Sequence, residues 1–307
     1  MNTHLHLLTK LSVPTGKIDA VLDTDTYNEI DDQFALAYML ASEDKIRLKA
    51  IYAAPFFNVN SSSPADGMEK SYQEIHKILD LAEKPEMKTV VFRGSDRYLP
   101  DESIPVPSDA ARHLADLAMT YPEESPLYVV AIGAITNVAS ALLLRPEIRD
   151  HMVVVWLGGH SLHNDDTQEF NMIQDVAAAR VVFGCGVPLV QLPCAGVVSA
   201  FTTTGPELRH WLGGKNRLCD YLVENTVSAA ESYAKGKPWS RVIWDVTAVG
   251  WLLNEGQRFM HDRLEYSPIP EYDGHYGFDK QRHFICYVYA INRDALFADL
   301  FEKLSSF

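Results

Sequence analysis

The chain has 307 residues and a formal net charge of −14, with 47% hydrophobic and 22% charged residues. This composition is ordinary for a soluble globular protein. The negative charge argues against sequence-independent binding to nucleic-acid phosphates or to an anionic membrane. No apolar run is long enough to span a bilayer. The four cysteines form no CxxC pair, which favours buried thiols in a reducing compartment. We therefore expect a cytoplasmic protein.

Short apolar runs bounded by turn residues recur along the first two thirds of the chain. Each predicts a buried strand, and several are nearly continuous in Val, Ile and Leu, as expected for strands covered on both faces. The predicted strands are residues 18–22, 48–54, 89–92, 127–132, 152–157 and 187–192. Helical periodicity lies between them, over residues 33–41, 72–79, 136–144 and 175–183.

Strand and helix alternate in this part, which predicts an α/β fold with a mainly parallel, doubly wound (Rossmann-like) sheet and helices on both faces. The last third predicts helices over residues 206–212, 218–234 and 245–253, a strand over 284–289 and a closing helix over 294–304. Residues 61–64 and 101–108, rich in Ser and Pro, are predicted to be exposed loops. Because no linker divides the chain, we expect one domain over residues 1–307 with extra C-terminal helices.

The first predicted strand runs directly into an acidic segment, VLDTDTYNEIDD, over residues 21–32. In a doubly wound sheet, ligands bind at the carboxyl ends of the strands. Carboxylates crowded at such a point repel one another unless a cation or protons neutralise them, and oxygen-only ligands favour Mg²⁺ or Ca²⁺ over zinc. The pattern predicts a divalent metal site, with a solvated acidic loop at a helix start as the alternative.

Further polar groups stand where a strand or loop meets a helix. They are Gly133-Ala134-Ile135-Thr136-Asn137, Gly158-Gly159-His160 with Asn164, Glu169-Phe170-Asn171, and Trp244-Asp245. Each one alone is explained by a helix cap or a tight turn. Their common placement at these junctions favours a single site to which all of them contribute.

The order of these motifs resembles that of the inosine–uridine-preferring nucleoside hydrolase family, from about residue 18 to residue 253. The acidic segment is similar to the family's DxDxGxDD-type motif, residues 133–137 to its Gly-x-Leu-Thr-Asn turn, and residues 169–171 to its Glu-Phe-Asn motif. Trp244-Asp245 matches part of its His-Asp-Pro-x-Ala-Val motif. The resemblance implies the nucleoside hydrolase fold, a homo-oligomer (dimer or tetramer), and hydrolysis of the N-glycosidic bond of a ribonucleoside or related ribosyl compound.

The resemblance also implies roles for individual residues. Ca²⁺, in preference to Mg²⁺, would be bound by Asp25, Asp32, Asp245 and the main-chain carbonyl of Ile132. The catalytic residues would be Asp25, as the general base acting on a metal-bound water, and Asp31, which would also hold ribose hydroxyls. The other sugar contacts would come from Asp245, Asn171, Glu169, Asn164 and Asn58.

The chain departs from the family pattern at three places, and one of them is the family's His-Gly loop after the third strand, in whose place stand residues 103–113. Five residues separate Asp25 from Asp31, a longer spacing than the family motif has, and its Pro-Gly turn is missing. Trp244 stands where the family commonly has the histidine that helps to protonate the leaving base. Trp244 is therefore either a residue that stacks on a purine or a buried aromatic at the helix start. Tyr233 and His275 are two further candidates near the base.

Two other functions compete with this reading. A haloacid-dehalogenase-like, Mg²⁺-dependent phosphohydrolase also begins with a strand and Asp-x-Asp, but Tyr27 stands where its threonine is expected. A non-catalytic nucleoside- or ribosyl-binding protein would keep the metal and sugar site without turnover. The phosphohydrolase would release phosphate from phosphate esters, whereas the binding protein would take up nucleoside and release no base.

Overall fold

The computed structural model describes residues 3–307, with side chains described from Leu7 onward; residues 1 and 2, which the single-domain prediction includes, lie outside the described residues. The strands are β1 (Ile18–Thr24), β2 (Ile46–Ala53), β3 (Val91–Arg93), β4 (Leu127–Ala131), β5 (Met152–Leu157), β6 (Leu189–Leu192), β7 (Thr202–Thr203), β8 (Arg241–Val242), β9 (Met260–Tyr266), β10 (Ile269–Pro270), β11 (Tyr276–Gly277) and β12 (Phe284–Ile291). The helices are α1 (Thr3–Lys10), α2 (Asp31–Leu40), α3 (Pro64–Leu81), α4 (Asp109–Ala118), α5 (Thr136–Leu144), α6 (Phe170–Gln174), α7 (Val176–Gly184), α8 (Gly205–Trp211), α9 (Arg217–Ala234), α10 (Val246–Leu252) and α11 (Arg293–Ser305). Within these residues, no helix is long and apolar enough to cross a lipid bilayer.

An eight-stranded sheet runs in the order β3-β2-β1-β4-β5-β6-β12-β9. Its neighbouring strands are parallel except for β9, which is antiparallel to β12. From β1 the chain proceeds outward to β2 and β3, and then returns to the other side of β1 with β4, β5 and β6. The strand order therefore reverses between β1 and β4, and this switch point is where doubly wound sheets bind ligands. The predicted α/β fold with a mainly parallel sheet is confirmed.

The central strands are covered on both faces. Every residue of β4, β5 and β6 is buried, which explains their continuous apolar sequences. One hydrophobic cluster contains side chains of α2, α3, α9, α10 and α11, and a second contains side chains of α4, α5 and α7. The predicted bounds of β5 and α5 agree with the structure residue for residue.

Several elements are absent from the sequence-based prediction, and α4 and β9 are the longest helix and the longest strand among them. Helix α4 follows the loop at residues 101–108, and its start is capped by Ser108 Oγ, which accepts a hydrogen bond from Ala111 N at 3.1 Å. Strand β9 has the sequence MHDRLEY, in which Met260 alone is buried. Because β9 is an edge strand with one neighbour, it carries charged side chains rather than an apolar run.

The loop predicted at residues 61–64 differs in part from the structure. Ser61 is buried, and Pro64 is the first residue of α3. Ser63 Oγ accepts a hydrogen bond from Asp66 N at 3.1 Å and so caps this helix. Proline at the first helical position is common because its missing N–H would have no helical partner there.

Candidate active site

Buried aspartates meet at the carboxyl end of β1 and at the starts of α2 and α10. They are Asp23, Asp25, Asp31, Asp32 and Asp245, each at most 4% exposed. Carboxylate oxygens of Asp31, Asp32 and Asp245 lie within 4.8 Å of one another and could hold a metal ion. Helix α10 packs against α2, and this contact brings Asp245 from the last third of the chain to the acidic segment.

Asp25 lies beside this triad, and both of its carboxylate oxygens are buried and have no hydrogen-bond partner among the described residues. Gly133 packs against it, so that a Cβ at position 133 would stand 2.9 Å from Asp25 Cγ. A buried carboxylate that receives no hydrogen bond is costly unless a cation or a proton compensates its charge. The donor set consists of oxygen atoms, which fits a hard divalent cation.

The charges of these aspartates oppose one another. Burial raises the pKa of Asp32 to about 6, although Thr24 Oγ1 donates a hydrogen bond to it at 2.5 Å. Burial likewise raises the pKa of Asp23 to about 7, against a hydrogen bond of 2.7 Å from Asn137 Nδ2. The other three carboxylates are those of Asp25, Asp31 and Asp245. Burial is the largest cause that raises their pKa values, and the neighbouring carboxylates raise them further. Protons or a cation must therefore neutralise the cluster.

We expect the metal-free protein to lose stability as the pH rises from about 4 to about 8. In the folded state the pKa of Asp32 is raised from 3.8 to about 6 and that of Asp23 from 3.8 to about 7. The folded protein therefore binds more protons than the unfolded chain over this pH range. As a result, the free energy of unfolding falls as the pH rises. The measurement is urea denaturation at several pH values, with a chelator or with Ca²⁺. With Ca²⁺, the free energy of unfolding should depend less on pH. A free energy of unfolding that increases with pH in the metal-free protein would contradict the expectation.

The triad lines a cavity of about 220 Å³. The lining residues that the sequence motifs predict are Asp31, Asp32, Ile132, Glu169, Asn171, Trp244 and Asp245. The lining also includes Asn28, Glu29, Leu157, His160, Gln168, Phe170, Cys194 and Ala195. We refer to the most buried lining carboxylates, Asp31, Asp32 and Asp245, as the floor of the cavity. Asp25 stands beside the floor and does not itself line the cavity.

Two predicted sugar-binding residues are held in place by backbone hydrogen bonds. Glu169 Oε1 accepts from Asn171 N at 2.8 Å, while its Oε2 accepts from Gly159 N at 2.8 Å and Met172 N at 2.9 Å. Asn171 Nδ2 donates to the carbonyl of Ile132 at 3.1 Å and to that of Leu157 at 3.0 Å. These contacts leave Asn171 Oδ1 as an acceptor for a ligand and orient both side chains in advance.

The other two predicted sugar ligands, Asn58 and Asn164, do not line the cavity. Asn58 Nδ2 donates to Asn28 Oδ1 at 2.6 Å, and Asn58 Oδ1 accepts from Asn60 N at 2.8 Å. Asn58 thus supports the lengthened loop between Asp25 and Asp31. Asn164 is exposed. A role in sugar binding stays a prediction for both residues.

The rim of the cavity contains the residues considered for base recognition. Trp244 is half-buried, packs against the hydrophobic core and also lines the cavity, so both interpretations of this residue have a structural basis. Arg241 donates to Glu29 at 2.6 Å and joins the acidic loop to the segment before Trp244. Tyr233 is 60% exposed, and His275 is exposed and does not line the cavity.

Several lining residues were given no role from the sequence, although His160 belongs to a motif that was named there. His160 follows β5 and Cys194 follows β6, so both stand at carboxyl ends of parallel strands. The rule that these ends share one edge of the sheet would have identified them. Asn28 and Glu29 belong to the acidic segment itself, but the sequence assigned roles only to the aspartates of this segment.

Comparisons with known proteins agree with this geometry. The sequence model of the family described as inosine-uridine preferring nucleoside hydrolase matches residues 20–276. The pyrimidine-specific ribonucleoside hydrolase RihA of Salmonella dublin is 29% identical over 256 residues, which cover 73% of this chain and 76% of that protein.

Two solved structures share the fold. The purine-preferring ribonucleoside hydrolase from Gardnerella vaginalis superposes with a TM-score of 0.74 at 20% identity, covering 94% of this chain and 98% of that one. The type III effector protein XopQ, complexed with adenosine diphosphate ribose, superposes with a TM-score of 0.70 at 16% identity. The superposition covers 99% of this chain and 98% of that one. Since the family model matches most of the sequence, this chain belongs to the inosine-uridine preferring nucleoside hydrolase family, which supports hydrolysis of ribonucleosides as its activity.

Proposed function

We propose that this protein hydrolyses the N-glycosidic bond of a ribonucleoside or related ribosyl compound, giving free base and ribose, with a divalent cation in the aspartate cluster. The observation that carries the proposal is the buried acidic cluster at the switch point of the sheet. Oxygen atoms of three of its carboxylates lie within 4.8 Å of one another, and both oxygens of Asp25 lack a hydrogen-bond partner in the part of the chain that the structure describes. The cation is Ca²⁺ in preference to Mg²⁺, because several carboxylates and a carbonyl suit its larger coordination shell.

The cation would be held by Asp25, Asp32, Asp245 and the main-chain carbonyl of Ile132. When bound, it would supply a positive charge that lowers the pKa of a nearby water and makes removal of its proton by a base easier. Asp25 accepts this proton as the general base. Its buried carboxylate, which makes no hydrogen bond within the described residues, is free to do so.

The remaining polar groups hold the sugar. Asp31 and Asp245 on the floor accept hydrogen bonds from ribose hydroxyls, as does Asn171 Oδ1, and this fixes the anomeric carbon against the attacking water. As the base departs, positive charge develops on the sugar ring. The carboxylate and amide oxygens around it stabilise that charge.

Trp244→Ala is expected to lower kcat/KM for purine nucleosides by about 5- to 10-fold, because an aromatic stack is worth about 1 kcal/mol. The decrease in kcat/KM should be smaller for pyrimidine nucleosides, since their smaller ring covers less of the indole. The measurement is initial-rate kinetics on inosine and uridine. Trp211→Ala, which removes a tryptophan 51% exposed on α8, is the control. Equal losses on both substrates would assign Trp244 to the hydrophobic core alone.

The proposed activity is tested by measuring base release from purine and pyrimidine ribonucleosides after removal of metal with a chelator, with and without added Ca²⁺. Adenosine diphosphate ribose belongs in the panel, since a larger ribosyl compound would suit the lengthened acidic loop. Release of base and ribose that depends on the metal supports the proposal. Uptake of nucleoside without release would favour the binding protein, and phosphate released from phosphate esters would favour the phosphohydrolase.

We also propose that the protein is a cytoplasmic homodimer or homotetramer, as the family resemblance implies. Light scattering coupled to gel filtration measures the mass of the assembly directly. A monomer at micromolar concentration would contradict this part of the proposal.

A further inference from the structure

Strand β9 leaves one edge of the sheet open, because β12 is its only neighbour among the described strands. In an antiparallel pair, successive residues direct their main-chain N–H and C=O groups alternately toward the neighbouring strand and away from it. At the two ends of β9, Asn292 N donates to Phe259 O at 2.7 Å and Ser267 N donates to His283 O at 2.9 Å. Odd-numbered residues of β9 therefore face β12, and even-numbered residues face the open edge.

The free main-chain groups of this edge belong to the middle of β9. At the start of the strand, Met260 N donates to Asn254 Oδ1 at 3.1 Å, and Met260 O accepts from Asn254 Nδ2 at 2.8 Å. After the end of the strand, Pro268 has no N–H to offer. Between these limits, three residues direct N–H and C=O groups to the edge, where no described residue bonds to them: Asp262, Leu264 and Tyr266. Such an edge is a template for pairing with another strand.

The side chains of β9 suit a second copy of the same strand in one register. Two copies related by a twofold axis pair antiparallel, and the residue on the axis fixes which positions face each other. With Leu264 on the axis, Leu264 faces its counterpart, Asp262 faces Tyr266, and Arg263 faces Glu265. All the free N–H and C=O groups then have partners. Opposite charges also lie directly across from each other, which stabilises a strand pair.

The neighbouring registers are unfavourable. With Asp262, Arg263 or Glu265 on the axis, two like charges face each other, which destabilises a strand pair. With Tyr266 on the axis, Leu264 faces Pro268, which cannot donate a hydrogen bond. Charged side chains protect edge strands from non-specific pairing. In β9 they exclude these registers and favour the one in which the strand complements itself.

Apolar side chains at this edge add to the contact. Leu264 is 47% exposed and Tyr266 is 39% exposed. Beside Leu264 lies a groove of about 450 Å³, whose lining also includes Leu8, Leu11 and Val13. With Leu264 on the axis, the Leu264 side chains of the two copies meet at this groove, and the contact removes apolar surface from water.

We propose that β9 pairs with β9 of a second copy of this chain about a twofold axis at Leu264, which joins the two sheets into one. The inference names the contact surface of the proposed homo-oligomer and rests on that part of the proposed function. It does not depend on the catalytic mechanism.

Charge reversal on β9 tests the register. In Arg263→Glu, a glutamate faces Glu265 of the second copy, and in Glu265→Arg, an arginine faces its Arg263. Each single variant should raise the dissociation constant of the assembly at least about tenfold, since both symmetry-related pairs become repulsive. Light scattering coupled to gel filtration over a concentration series should then give half the wild-type mass at concentrations where the wild-type protein is assembled.

The control for these variants is Arg112→Glu. Arg112 is an exposed residue of α4, and α4 contacts β3 at the opposite edge of the sheet. This variant should keep the wild-type dissociation constant. Far-UV circular dichroism of all the variants verifies that each one is folded.

An equimolar mixture of the two single variants separates the interface from an effect within one chain. Within a chain Arg263 also pairs with Glu265 at 2.7 Å, so each reversal changes that contact as well. In the mixture, the two glutamates of one copy face the two arginines of the other. The mixture should therefore regain the wild-type mass, whereas mixing cannot repair a defect that lies within each chain.

The inference is overturned if the single variants keep the wild-type dissociation constant, or if the mixture has the same mass as its separate components. A wild-type oligomer that neither reversal affects would refute this inference and leave the homo-oligomer in place. A wild-type monomer would refute the proposed homo-oligomer together with this contact. Base release, measured separately on the wild-type protein, tests the catalytic part of the proposed function and is independent of both results.

Discussion

Asp245→Asn is expected to lower metal-dependent base release by at least about a thousandfold, because in the proposed mechanism the Asp245 carboxylate binds both the cation and the sugar. Asp245 is 3% exposed and belongs to the triad whose oxygens lie within 4.8 Å of one another. An amide of the same size keeps the packing at the start of α10 but has no charge to offer a cation. Ca²⁺ affinity, measured by calorimetry on the metal-free protein, should fall together with activity.

The same substitution should stabilise the protein in the absence of metal. In the wild-type protein, Asp31 and Asp32 raise the pKa of Asp245 by repulsion, in addition to its burial. Replacing one charge of the cluster relieves this repulsion, so the melting temperature in a chelator should increase, while the further increase on adding Ca²⁺ should shrink. Asp165→Asn, at an exposed position, is the control and should change neither. Full base release by the Asp245 variant would rule out the proposed mechanism.

Asp25→Asn is expected to lower kcat by about 100- to 10,000-fold, the usual contribution of a positioned general base. The amide cannot accept the proton of the attacking water. Asp25 stands beside the triad rather than within it, so we expect this variant to retain more Ca²⁺ affinity than Asp245→Asn. The measurement combines single-turnover base release at saturating Ca²⁺ with calorimetric titration of the metal.

A difference between these two variants distinguishes a base from a metal ligand. If Asp25→Asn loses metal affinity and activity in the same proportion, and excess Ca²⁺ restores the rate, Asp25 acts only as a ligand. If the rate stays low at saturating Ca²⁺, Asp25 accepts the proton. An unchanged rate would show that the attacking water loses its proton to another group.

The instability of the metal-free cluster and the proposed activity have one physical origin. Five aspartates that are each at most 4% exposed are unfavourable in the absence of a counter-charge. The positive charge of Arg241 offsets part of this cost, because it opposes the increase in the pKa of Asp31. Arg241 also donates a hydrogen bond to Glu29 at 2.6 Å. A bound cation would compensate most of the remaining charge, which couples metal binding to folding stability.

The sequence by itself determined the architecture, because that information is local. Continuous apolar runs predict strands covered on both faces, and β5 and α5 were predicted to the residue. The acidic segment after β1 was recognisable as a candidate metal site since it follows a strand of a parallel sheet. Prediction failed for β9, where an edge position permits charged residues and removes the apolar pattern.

The tertiary structure alone decided which side chains share the cavity. Asp245 joins Asp31 and Asp32 through the packing of α10 on α2, and no local pattern encodes that contact. The side chain of Asn58 is hydrogen-bonded to Asn28 and Asn60, and its contact with the sugar stays a prediction. His160 and Ala195, which follow neighbouring strands, both line the cavity, and Ala195 N donates a hydrogen bond to His160 Nδ1. Motifs identify the candidate residues, but which of them meet depends on contacts between residues far apart in the chain.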